Sequence, residues 1–156
     1  MAKVKFEIRD GETAGEFTAP DDASLYFIGR IETPFKTLAE CPRQGVVDGP
    51  LCRIEVFQDF ANGLKNIEQF ERLQILYWLD LSRRDLLTQN PGLMGWISGT
   101  FALRSPQRPN PIGSSMVELV GIEGRFLTVR GLDCVDGTAL LDIKPDRCKF
   151  SDNRCQ

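Results

Sequence analysis

Short stretches in which apolar and polar residues alternate run through most of this chain, and they constrain its fold more than any other feature. Period-two alternation suits a strand with one buried face and leaves no continuous apolar stripe for a helix. Seven such stretches, rich in β-branched and aromatic side chains, predict strands at residues 25–31, 51–57, 75–81, 96–103, 116–122, 126–132 and 138–143. So many short strands within 156 residues imply a mainly β domain, either a sandwich or a barrel. GIEGR, with Gly121 and Gly124, reads as a hairpin turn joining MVELV to FLTVR. Only residues 59–73 suggest a helix: Leu64, Ile67, Phe70 and Leu73 recur at helical intervals and predict one short helix packed on the sheet. Residues 1–24 form a polar extension able to add an edge strand, 25–146 the folded domain, and 147–156 a tail.

With 42% hydrophobic residues, the chain can bury one good core. No apolar run approaches the ~20 residues that span a bilayer, and MAKVKFEIRDGE lacks the apolar core of a signal peptide, so a cytoplasmic protein without membrane contact is expected. Cys41, Cys52, Cys134, Cys148 and Cys155 form no C-x-x-C pair and are odd in number, which favours reduced thiols. Histidine is absent, and with it Ser-His-Asp and Cys-His chemistry and the commonest metal ligand. No tight carboxylate cluster stands in for it, so no metal is expected. An enzyme built this way suits transfer of a group from a cofactor that carries its own leaving group, the protein supplying position and electrostatics. A net charge of −3 argues against sequence-blind binding of nucleic acid, so any RNA contact must be local, among Arg30, Lys36, Arg43, Arg53, Arg83, Arg84, Arg104 and Arg108.

Three segments carry the chemistry. In GTFALRSPQRPNPIGSS, residues 99–115, Pro106, Pro109 and Pro111 fix φ and push their predecessors toward extended geometry. This frame presents Arg104, Arg108 and Asn110, and a guanidinium's planar fork suits carboxylate or phosphate. Gly113, Ser114 and Ser115 permit close backbone approach and offer hydroxyls. In CPRQG, a proline orients an Arg-Gln pair before a permissive glycine. In LDCVDGTALLDIKPD, residues 132–146, Asp133 and Asp136 precede an Asp-Gly turn, and Asp142 and Lys144 share one side of the strand that follows. That segment reads either as a capped hairpin with a surface ion pair or as a receptor for a ribose, an adenine amino group or a sulfonium.

Taken in order, IGRIETPF, CPRQG, GLKNIEQFERLQILYWL, GTFALRSPQRPNPIGSS and DGTALLDIKP resemble the YaeB/TrmO-like family of S-adenosylmethionine-dependent methyltransferases over about residues 27–145. The resemblance implies a small antiparallel β-barrel with one or two short helices, working as a homodimer. It implies methylation, with S-adenosyl-L-methionine as cofactor, of N6 of N6-threonylcarbamoyladenosine next to the anticodon of tRNA. By motif it assigns Pro42, Arg43, Gln44, Asp80, Arg104, Ser114, Asp133, Cys134, Val135 and Asp136 to the cofactor, and Arg108 and Asn110 to the substrate, with the base among Asp136, Asp142 and Lys144. This chain departs from the family's usual DGTPVLDIKPY at Ala139 and Asp146, and has Asp80 where a histidine is common. Longer members add a C-terminal domain, so RNA contact is expected here to come from the barrel dimer, or else to be weaker. Methylation of another nucleoside or small molecule, and a non-catalytic cofactor- or RNA-binding module, remain alternative readings.

Overall fold

A computed structural model describes residues 7–18, 21, 23–92 and 95–147. Its strands are β1 (Thr13–Ala14), β2 (Gly29–Glu32), β3 (Leu51–Val56), β4 (Arg72–Trp78), β5 (Leu86–Gln89), β6 (Ser98–Gly99), β7 (Ile112–Glu123), β8 (Phe126–Arg130) and β9 (Thr138–Pro145). Six of them close into a barrel in the order β2-β3-β8-β7-β4-β9, so the barrel alternative is the correct one and the mainly β expectation holds. The chain divides into two compact units, Tyr26–Tyr77 with the residues from Ser114 onward, and Trp78–Gly113 with the residues up to Leu25.

Alternation builds the barrel of the larger unit. Ile31 faces Ile54 across β2 and β3, and Ile54 faces Leu127 across β3 and β8. These three side chains, with Leu73, Ile75, Val129 and Leu140, have no solvent exposure and fill the interior. The β7–β8 turn has two residues, Gly124 and Arg125, between the Glu123–Phe126 pair, and Gly124 takes φ +58°, as the hairpin signal in GIEGR requires. A bulge between Leu119 and Gly121 inserts Val120 into the long β7 and lets that strand bend around the barrel.

In the smaller unit, β5 lies between β1 and β6, with Thr13 opposite Thr88 and Thr88 opposite Gly99. The polar N-terminal extension therefore supplies an edge strand.

Several local expectations are corrected. Residues 59–73 form two 3-10 segments, Gln58–Leu64 and Ile67–Gln69, and then enter β4. The apolar spacing is a strict three: Ala61, Leu64, Ile67 and Phe70 are half-buried along one side, and Leu73 is fully buried. The run of threes from Ala61 to Phe70 matches the 3.0 residues per turn of a 3-10 helix rather than the 3.6 of an α-helix. The predicted strand 96–103 keeps only β6 and then turns into a third 3-10 segment, Thr100–Ala102. The strand expected at 75–81 begins three residues earlier, at Arg72, and that at 25–31 pairs only from Gly29. The four-residue β5 carried too little pattern to be seen.

Core and periphery should respond differently to truncation. Leu127→Ala, in the barrel interior, is expected to lose about 2–5 kcal/mol in urea unfolding, whereas Leu64→Ala on the half-buried 3-10 segment should lose about 1 kcal/mol or less.

Candidate functional site

Antiparallel order decides which loops meet. β2 is antiparallel to β3 and β9, and β8 is antiparallel to β3 and β7. The start of β4 lies beside the end of β9, where the Asp146 N–H donates to the Arg72 carbonyl, and beside β7, where the Leu119 N–H donates to the Glu71 carbonyl. Consequently the ends of β2, β4 and β8 and the starts of β3, β7 and β9 share one mouth of the barrel. The β2–β3 loop, which contains Pro42, Arg43 and Gln44, and the β8–β9 loop, which contains Asp133, Cys134, Val135 and Asp136, both open there.

Two glycines fasten these loops together. A Cβ on Gly45 would fall 1.7 Å from the carbonyl oxygen of Gly131, so PRQG reaches the β8–β9 loop only because residue 45 has no side chain. Gly131 itself adopts φ +111°, which disfavours any other residue. Arg43 and Gln44 are exposed beside this contact, and Pro42 is half-buried.

Inside the mouth sits a buried polar cluster that joins Ser115 and Asp133, both in segments the sequence singled out, to Tyr77, which it did not. Tyr77 and Ser115 occupy interior positions of β4 and β7 at 3% and 7% exposure. The Tyr77 hydroxyl donates to Asp133 Oδ1, Ser115 Oγ donates to the same oxygen at 2.9 Å, and the two hydroxyls lie 2.8 Å apart. Burial, and then the charge of Asp133, raise the Tyr77 pKa far above that of an ordinary phenol, so it is a proton donor at any working pH. Only the alternation of β4 and β7 hinted at these two, by placing polar residues on an inward face. Ser114, the next residue on β7, accepts from Gln74 Nε2 at 3.0 Å.

The neighbouring residues of the β8–β9 loop hold the loop itself. Asp136 Oδ1 accepts the Thr33 N–H at 3.0 Å, and Oδ2 pairs with Lys36 Nζ at 2.6 Å. Lys36 is the largest cause that holds the Asp136 carboxyl below the usual carboxylate range. Thr33 Oγ1 donates to the Cys134 carbonyl at 2.9 Å, and Thr138 Oγ1 to that of Val135 at 2.6 Å. Burial pushes the Cys134 thiol up to about 12, so it is not a nucleophile near neutrality. Asp142 and Lys144 pair with each other at 2.6 Å. They lie four and six residues along β9 from Thr138, ~13–20 Å from the mouth at ~3.3 Å per residue, and the fold does not gather them with Asp133 and Asp136.

On the outer face of β2 and β3, a separate cavity of about 590 Å³ is lined by Arg30, Glu32, Lys36, Arg53 and Asp136, among others. Its charges are already internally paired, Arg53 with Glu32 at 3.8 Å and Lys36 with Asp136. Among the described residues, no group of three or more Cys, Asp or Glu side chains could hold a metal ion.

The smaller unit contains Asp80, Arg104, Arg108 and Asn110. Its proline-laced loop is fixed from within. Arg108 Nη2 donates to the carbonyls of Thr100 and Leu103, each at 3.0 Å. Buried Gln89 donates to the Gln107 carbonyl at 2.7 Å and to Thr100 Oγ1 at 2.9 Å, and Arg84 Nε donates to the Pro109 carbonyl at 2.7 Å. Arg104, Asn110 and Asp80 are exposed, and the Asn110 carbonyl accepts the Ile112 N–H at 2.8 Å. The two arginines of this loop therefore have different surroundings, Arg108 being half-buried against backbone carbonyls. Gln89 and Thr100 are supports that the sequence did not reveal.

The larger unit is a closed six-stranded antiparallel barrel with two glycine-locked loops at one mouth. The chain belongs to the family described as the tRNA-methyltransferase O N-terminal domain, which matches residues 30–152. It is 50% identical over 140 residues to the probable S-adenosyl-L-methionine-binding protein VirR of Rhizobium radiobacter, covering 90% of this chain and 80% of that one. It is 33% identical to the mouse tRNA (adenine(37)-N6)-methyltransferase, over 76% of this chain but 29% of the mouse protein. A crystal structure of TrmO from Pseudomonas aeruginosa superposes with a TM-score of 0.66 at 31% identity, covering 86% of this chain and 60% of that one. The chain thus spans about three fifths of the TrmO structure and less than a third of the mouse enzyme.

The paired Asp136 should appear as an acid-labile contribution to stability. A folded pKa below the unfolded one stabilises above the unfolded value, about 4, and is lost as pH falls below it. Urea unfolding between pH 6 and pH 3 should show a fall below about pH 4 that is smaller in Asp136→Asn, which has already lost the Lys36 pair.

Proposed function

We propose that this chain is an S-adenosyl-L-methionine-dependent methyltransferase acting on N6 of N6-threonylcarbamoyladenosine next to the anticodon of tRNA, and that it works as a homodimer. The observation that carries the reading is the junction of PRQG with the 131–137 loop beside Asp133, in a chain of this family. Asp133 Oδ1 is occupied by Tyr77 and Ser115, while Oδ2 has no hydrogen-bond donor among the described residues. A half-buried carboxylate with one unclaimed oxygen suits a ligand that brings a cation or an N–H, and S-adenosylmethionine has both a sulfonium and an ammonium group.

In the larger unit, the proposed cofactor contacts are Pro42, Arg43, Gln44, Ser114, Asp133 and the backbone of Cys134 and Val135, with Asp136 anchoring their loop through Thr33 and Lys36. Asp80 and Arg104 are assigned to the cofactor by motif, and Asn110 with Arg108 to the substrate. Bound S-adenosylmethionine supplies an activated methyl group and a neutral thioether leaving group. The protein's part is to align the acceptor nitrogen behind that methyl, and orientation of this kind can supply much of the acceleration. Transfer of that methyl would replace the N–H proton of the acceptor nitrogen, so a base in this chain would have to take that proton up. Asp142 and Lys144 are tied to one another along β9, and Asp136 is held ionised by Lys36, so among these three candidates Asp136 is the one at the mouth.

Two of the three departures from the family pattern, Asp146 and Ala139, have local explanations, and the structure offers none for Asp80. Asp146 pairs with Arg72 at 3.0 Å, fastening the end of β9 to β4 at the end of the barrel away from the mouth. Ala139 stands opposite Arg30 in the β2–β9 ladder, where a proline is not required.

Incubation with methyl-labelled S-adenosylmethionine and total tRNA, followed by digestion to nucleosides, should place the label on N6-threonylcarbamoyladenosine. Label on another nucleoside would replace the substrate, and cofactor binding without label would make the chain a binding module. In thermal melting, millimolar S-adenosylmethionine should raise Tm through binding to the native state alone, and Arg104→Ala should remove most of that rise while leaving the Tm without ligand within a few degrees of the parent.

A further inference from the structure

We infer that Tyr77 and Ser115 are positioning residues for cofactor recognition, acting through Asp133. This inference rests on the cofactor reading above and goes beyond it, because the motifs assigned neither residue to the cofactor and both lie on strands rather than in a loop. Asp133 follows β8 on a turn whose conformation depends on Gly131, and such a turn alone would leave its carboxylate several rotamers. The barrel removes that freedom. Tyr77 from β4 and Ser115 from β7 both donate to Oδ1, so one oxygen of the carboxylate is fixed on the barrel interior and the other is left for a ligand.

Both donors are nearly inaccessible to water, and the phenol is kept protonated by burial and by Asp133 itself. Water therefore cannot readily replace either donor if one is deleted, and the carboxylate would gain freedom to turn Oδ2 inward. A hydroxyl pair with only a packing role would not need both donors on one oxygen of a group at the mouth. Nearby groups do not compensate: Lys36 is engaged by Asp136, and Cys41 Sγ donates to the Thr37 carbonyl at 3.5 Å.

The test is a double-mutant cycle read by isothermal titration of S-adenosylmethionine into the full chain. Tyr77→Phe preserves the ring and removes one charge-assisted donor, so it should weaken affinity by about tenfold. Ser115→Ala, a smaller change that does not depend on the Tyr77 variant folding, should weaken it in the same direction. In an Asp133→Asn background, Tyr77→Phe should change affinity by less than about twofold, since its partner is gone. An equal loss in both backgrounds would mean that Tyr77 acts by packing alone and would overturn the inference. Parental affinity in both single variants, with the parent binding normally, would overturn it too while leaving the cofactor reading intact. A parent protein that takes up no S-adenosylmethionine would overturn both.

Discussion

Closure of the barrel is the constraint on which the larger unit depends. Six strands in the order β2-β3-β8-β7-β4-β9 leave no free edge, so every backbone ladder is satisfied internally and every second residue must face inward. That requirement fills the interior with Ile31, Ile54, Leu73, Ile75, Leu127 and Leu140. It also sorts the connections. Because neighbours run in opposite directions, the PRQG and DCVD loops, 90 residues apart in the chain, come to one mouth without any interaction of their own being needed to bring them there.

At that mouth the interior changes from apolar to polar, and the polar groups are matched. Tyr77, Ser115 and Asp133 satisfy one another, and Thr33, Lys36 and Asp136 do the same for the adjoining turn. A buried hydroxyl left without a partner would cost about 1–3 kcal/mol, so such positions are tolerable only as complete networks. Among the described residues, no buried side-chain nitrogen or oxygen lacks a partner. The smaller unit follows the same rule by different means: Arg108, Gln89 and Arg84 donate to carbonyls of an irregular, proline-rich backbone that cannot pair in a sheet.

Membership of the tRNA-methyltransferase O N-terminal domain family agrees with a chain that has no imidazole. The departures from the family pattern divide: Asp146 has taken a structural role with Arg72, while Asp80 sits in the smaller unit.

All six barrel strands were legible in the sequence because alternation, the Gly124 turn and β-branched content are local properties that survive without knowing what packs against them. The four-residue β5 was not, since so short a segment carries no readable period, and the strand expected at 96–103 survives only as the two-residue β6. Residues 59–73 were read as one short helix because a run of i+3 spacings was accepted as a helical period. The motif loops were visible through their prolines and glycines, which act on their own backbones. Tyr77 was not, nor was the role of Ser115 beside it, because an isolated hydroxyl on a strand has no meaning until its partner is known. Sequence thus determined the period, the turns and the residue types available for chemistry, all of which depend on near neighbours. Only the tertiary structure decided that Tyr77 would meet Ser115, 38 residues away, and Asp133, 56 residues away, since that meeting requires two separate strands and the loop after a third to be closed into one barrel.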